Sequence, residues 1–148
     1  MIQCWQIRWD RSTTGKTTYD VIQAVETRLI FPKNRNVAIS YARLLLNDTT
    51  LREHRYHMGL ADTKICESND GIEDSYHFFF QCSRHSDIRT KLKQVIQRIW
   101  TDSGRNGSPR WFVALLLAPS TVIAFTKAQS RAVHAATFKF IQQSGHHL

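Results

Sequence analysis

The sequence predicts a mainly α protein: a small helical domain with one short β-hairpin. Three observations lead there. Ile88, Leu92, Val95, Ile96 and Ile99 recur at helical spacing over residues 87–100, the pattern of an amphipathic helix with one apolar face. Residues 37–46 are apolar on nearly all sides, as expected of a buried helix. Asn69-Asp70-Gly71 lies between Ile65 and Tyr76 and is a tight-turn signal for a hairpin.

The other elements follow in order. Residues 1–11 place Cys4, Trp5 and Trp9 beside basic residues, and a polar turn follows at Ser12–Lys16. Residues 19–30 have a mixed pattern that fits a helix or an extended segment. Pro32 breaks it, and Asn36 is placed to cap the next helix by accepting from its first free amides. Ala38, Tyr41, Ala42 and Leu45 form the expected inner stripe of that helix. Asn47-Asp48-Thr49 gives a turn and a second cap, and Leu51–Met58 a short polar helix stopped by Gly59. Glu73 and Asp74 precede a short helix through His77 and Phe80. Residues 101–109 are a polar linker. Beyond it, residues 111–118 and 121–143 read as two helices around Pro119-Ser120, with Lys127, Arg131 and His134 on one face of the second.

Composition narrows the function. A chain of 148 residues with 42% hydrophobic and 22% charged residues fits one globular domain with a real core. Its net charge of +8 favours a polyanionic partner, RNA or DNA first. The longest apolar run, residues 111–125, falls short of a membrane span and contains Pro119, so no membrane partner is expected. Three cysteines give an odd count without a disulfide framework, and no secretory leader is visible. An intracellular, reducing location follows, nucleus or cytoplasm.

The most informative motif is Cys66-x2-Asn69-x7-His77-x4-Cys82. Thiolate and imidazole groups at such spacing are zinc ligands, and zinc takes four of them tetrahedrally. The motif is therefore a degenerate zinc knuckle: Cys66, His77 and Cys82 can ligate, but Asn69 stands where the second cysteine belongs. A neutral amide is a poor zinc ligand. Asp70 is the best substitute, then Glu67, with His85 as a third choice three residues after Cys82. Zinc is the candidate cofactor. Two other readings stay open: Cys66 and Cys82 as ordinary buried thiols, and a Cys66–Cys82 disulfide, against which a reducing compartment argues.

No catalytic set assembles. There is no polymerase aspartate pair, and the scattered acidic residues do not form a nuclease carboxylate set. Thr14-Gly15-Lys16-Thr17 has the end of a phosphate-binding loop but lacks its first glycine. His54 and His57 are spaced to share a helix face, more in keeping with solvent than with metal. The chain is expected not to be an enzyme. Arg52, Arg55, Lys64, Arg84, Arg89, Lys91 and Lys93 flank the knuckle, and Trp5, Tyr56 and Tyr76 offer stacking surfaces. Contacts to the nucleic-acid backbone are expected rather than base readout.

The ordered series Arg43-Leu44-Leu45-Leu46-Asn47-Asp48, Leu51-Arg52-Glu53-His54, Met58-Gly59-Leu60, the knuckle and Ile88-Arg89 resembles the zinc-binding region downstream of the polymerase in reverse transcriptases of non-LTR (LINE-like) retrotransposons. Upstream, Trp5-Gln6-x2-Trp9-Asp10 and Gly15-Lys16-x2-Tyr19 resemble the connector that leads into that region. The resemblance covers residues 5–100. It implies that Cys66, His77 and Cys82 correspond to three zinc ligands, with Asn69 at the fourth place. It also implies a fragment of a longer polyprotein that helps hold template or target DNA, or a structural remnant of one that binds nothing. Residues 1–35 would then be the connector, 36–100 the helical knuckle domain, and 101–148 a linker and helical tail.

Overall fold

The computed structural model describes residues 2–24, 29–122, 125–146 and 148. Its elements are α1 (Ile2–Arg11), α2 (Lys16–Val21), α3 (Arg35–Leu46), α4 (Arg52–His57), α5 (Ser75–Phe80), α6 (Ser86–Asp102), α7 (Val113–Leu117), α8 (Pro119–Val122) and α9 (Lys127–Ser144). A 3-10 turn, Ser83–His85, joins α5 to α6. The mainly α expectation holds. The hairpin does not: among the described residues there is no strand, only one antiparallel bridge between Ile65 and Ile72. Cys66 N donates to Gly71 O at 2.8 Å and Glu73 N to Lys64 O at 2.9 Å. The pairing stops there because the chain turns at Asp74, whose amide donates back to Ile72 O at 3.0 Å, and enters α5 at Ser75.

Local chemistry explains the helix starts. Asn34, not Asn36, caps α3; its Oδ1 accepts from the Asn36 and Val37 amides at 3.0 and 3.2 Å. Val37, Ser40, Tyr41, Leu44 and Leu45 face inward, so the buried stripe is rotated from the expected one, with Ala38 and Ala42 at its margin. Asn47 closes α3 in the left-handed region at φ 55°, which asparagine tolerates. Asp74 caps α5 by accepting from His77 N at 2.6 Å. Thr126 and Gln129 form a reciprocal capping box at α9.

The core lies where α9 packs on α6, α3 and α7. Tyr41, Phe78, Phe79, Ile96, Leu115, Leu116, Leu117, Val133 and Phe140 are its fully buried centre. Tyr41 donates its hydroxyl to Leu117 O at 2.5 Å, tying α3 to α7. The chain beyond residue 101 thus contributes to the same core as α3 and α5. Among the described residues no helix is long and apolar enough to cross a membrane. In the segment 19–30, α2 ends at Val21, and residues 25–28 lie outside the described residues, as do 123 and 124 within the expected last helix, and His147.

Of the expected polar face on α9, His134 turns inward. It stacks on Phe138 and meets Tyr41 edge-on. Burial pushes its imidazole down from 6.5 to about 4. The folded chain therefore keeps His134 neutral where the unfolded chain binds a proton. Its contribution is whole above pH 6.5, shrinks as pH falls, and is gone below about 4. Urea unfolding should show a free energy lower by about 2 kcal/mol at pH 5 than at pH 7 from this residue. His134→Phe should remove that part of the pH dependence.

Candidate metal centre

Two short segments build the site. The first runs from Cys66 to Glu73 and doubles back at Asn69. The Asn69 amide donates to Cys66 O at 2.9 Å, and Asn69 takes φ 56°. That left-handed position suits asparagine far better than cysteine. The second segment is α5 and the turn after it, which bring His77 and Cys82 to the first.

Cys66 Sγ, Asp70 carboxylate, His77 ring nitrogen and Cys82 Sγ all lie within 4.8 Å of one another. The two sulfurs are 3.8 Å apart. A tetrahedral ion with bonds of 2.3 Å separates two thiolates by about 3.8 Å. His77 Nε2 is 3.1 Å from Asp70 Oδ1, yet neither ring nitrogen of His77 makes a hydrogen bond. The side chain is 1% exposed, and a buried imidazole without partners is costly. A cation between these atoms would satisfy it. The four residues fit a metal ion by donor type and distance, with Cys66, His77 and Cys82 buried and Asp70 at the exposed edge.

The surroundings favour the charged form of Asp70 and Cys82 but not of Cys66, whose proton a metal would have to displace. The Ser68 hydroxyl and the Ser83 amide, the latter at 2.7 Å, hold the Asp70 carboxyl well below the usual carboxylate range. Burial pushes the Cys66 thiol up, and Glu73, 3.3 Å from its sulfur, adds to the rise against the Ser68 hydrogen bonds. Burial also raises Cys82, but hydrogen bonds from Arg84, Ser68 and Cys66 outweigh it and leave this thiol below its ordinary value. Arg84 is the local counter-charge. It reaches Glu73 Oε1 at 2.8 Å, Glu67 Oε2 at 3.1 Å and Cys66 Sγ at 3.4 Å. Gly71 gives the imidazole room: a Cβ there would sit 3.2 Å from His77 Nδ1.

The structure sorts the expected ligands. Cys66, His77 and Cys82 converge, and the Asp70 carboxylate joins them. Glu67 is instead held by Arg52 at 2.8 Å and by Arg84. His85 is buried against Phe78 and Phe140, and burial with nearby Arg84 lowers it to about 4. Both cysteines are free thiols. His54 accepts from Thr49 N through Nδ1 at 2.9 Å, a local cap rather than a ligand.

The basic residues also divide. Arg52 and Arg84 are paired with acids, and Arg89 donates to Cys82 O at 2.7 Å. Arg55 donates to Leu60 O at 3.2 Å. Lys93 lies over the Trp111 ring. Lys64 and Lys91 are exposed, and among the described residues neither meets a carboxylate within ion-pair distance.

Glu73 is the residue that spacing did not single out for the site. It is 5% exposed. One oxygen receives Arg84 and the Cys66 thiol, the other the Arg52 amide at 3.1 Å. It thereby caps α4, whose preceding residue Leu51 has no capping side chain. Arg84→Ala would leave this carboxylate buried and unpaired. Because the Arg84 side chain is 34% exposed, the cost of a fully buried pair is discounted to about 2 kcal/mol. Urea unfolding of the variant measures it. A loss below half that figure would make the pair a surface contact.

No family model, no curated protein and no solved structure matches this chain.

Proposed function

We propose that this chain is a non-catalytic nucleic-acid-binding module, derived from a retrotransposon reverse transcriptase, in which zinc at Cys66, Asp70, His77 and Cys82 locks the segment that carries the basic residues. The observation that supports it most is the convergence of those four groups at thiolate–imidazole–carboxylate spacing. Four protein ligands leave no open position, which is the arrangement of structural rather than catalytic zinc. The polyanion part rests on the net charge of +8 and on cations left without acidic partners, Lys64 and Lys91 foremost. The retroelement part rests on the resemblance of residues 5–100. Free thiols suit a reducing location, nucleus or cytoplasm.

Salt titration tests the binding. If Arg55, Lys64, Lys91 and Lys93 each neutralise one phosphate, the log–log salt slope on a single strand is about −3. Affinity then falls about fiftyfold between 50 and 200 mM salt. Lys64→Gln should reduce the slope by about 0.7. Fluorescence anisotropy with RNA and DNA strands measures both. No binding at 50 mM salt would sink the proposal.

One observation favours a second reading, a structural remnant of a retroelement polyprotein that binds nothing. Leu46, Met58 and Leu60 are 62%, 64% and 66% exposed, apolar side chains that a lost neighbour could once have covered. Such a remnant would self-associate and show no salt-dependent binding.

A further inference from the structure

Helix α1 contributes no buried residue, and Ile2, Trp5 and Ile7 are about half exposed. It is nevertheless tied down. Trp9 Nε1 donates to Ile22 O at 2.9 Å, and Gln6 Nε2 to Gln23 O at 2.8 Å. Between α1 and the segment after α2 lies a cavity of about 470 Å³, lined by Trp5, Arg8, Trp9, Ser12, Ile22 and Leu29 among others. That volume falls in the range of small-molecule sites, roughly 300–1,000 Å³. Most of the wall is apolar and two of its side chains are indoles. The guanidinium of Arg8 lies 5.5 Å from the centre of the Trp5 ring. Among the described residues no carboxylate pairs with Arg8.

We infer that this cavity is a stacking site for one unpaired nucleobase of a single-stranded RNA or DNA, with Arg8 on the adjoining phosphate. The inference rests on the nucleic-acid reading of the basic surface and adds a second, uncharged source of affinity to it. Every base has a flat π-face that an indole can cover, so this contact is indifferent to sequence. Arg8 lies over one face of the Trp5 ring, so a base would take the other indole surface, and the positive charge selects an occupant that is both aromatic and anionic. A purely apolar peptide segment would leave Arg8 uncompensated at the mouth. A duplex would not enter, because its bases are already stacked.

The test uses the full chain and two strands of twelve nucleotides, one with bases and one abasic throughout, so that both carry the same phosphates. The base-bearing strand should bind about tenfold more tightly, and Trp5→Ala should abolish that difference. Trp5 is 55% exposed, so its removal leaves the core untouched. Its salt slope should stay at the wild-type value, because no charge is removed. Arg8→Gln should instead lower the slope by about 0.7. Equal binding of both strands, unaltered in Trp5→Ala, would overturn the stacking site while leaving backbone binding intact. Failure of both strands to bind would overturn the nucleic-acid reading itself.

Discussion

One zinc ion per chain is the expected content of protein purified under reducing conditions, and Cys82→Ser is expected to abolish it. The argument is geometric and electrostatic. The two sulfurs already stand 3.8 Å apart, so binding requires little rearrangement. Two thiolates and the Asp70 carboxylate would carry three negative charges among the ligands. A divalent zinc offsets two of them, and the Arg84 guanidinium, shared with Glu73 and Glu67, lies beside the site. Zinc binds the folded centre and finds no preformed site in the unfolded chain, so its binding free energy appears as stability. At free zinc a thousandfold above the dissociation constant, the gain is about 4 kcal/mol. For a chain of this size that raises the thermal midpoint by roughly 10 °C. Differential scanning calorimetry with zinc, and with a chelator, measures it. Identical midpoints would mean that the cysteines are ordinary buried thiols.

The second large effect is expected at Asp70. Asp70→Ala should weaken zinc by at least about a hundredfold, more than loss of an outer-shell partner costs. The carboxylate is the fourth ligand, and it also receives the Ser68 hydroxyl and the Ser83 amide. Asp70→Asn keeps the shape but removes the charge, and should lose nearly as much. Adding Asn69→Cys to Asp70→Asn should restore part of the affinity, because it rebuilds the usual cysteine spacing. The rescue should be incomplete, since cysteine at φ 56° costs about 1–2 kcal/mol. Competition with a zinc-sensitive dye reads all three. Wild-type affinity in Asp70→Ala would show that another group completes the centre.

Much of this was legible in the residues. The period of Ile88, Leu92 and Ile96 gave α6, and Asp74 announced α5. The knuckle spacing named three ligands, and proximity along the chain named Asp70 as the substitute. What failed did so for identifiable reasons. Asn69-Asp70-Gly71 is a sound turn signal, but a hairpin also needs two arms of some length, and the second is taken into α5 two residues after Glu73. Asn36 was the expected cap of α3, but it is the Asn34 side chain that accepts from the free amides. The tail matched no known pattern, yet Thr126 and Gln129 were a readable capping box. Arg84 and Arg89 looked like surface cations because a sequence does not show that Glu73 and the Cys82 carbonyl lie within their reach. In the sequence Glu73 reads only as one of two acids preceding a short helix.

Glu73 has a consequence for how the molecule opens. It joins the Arg52 and Glu53 amides at the start of α4, the Cys66 thiol and Arg84 into one hydrogen-bonded set. Local unfolding proceeds in cooperative units rather than residue by residue. The amides of Arg52, Glu53 and Cys66 should therefore exchange with solvent in a single opening event, although Cys66 lies far from α4 along the chain. Occupancy of the ligand set would slow all three together. The short helix α4 would then report, through its own exchange rate, on the state of sulfur atoms it never touches.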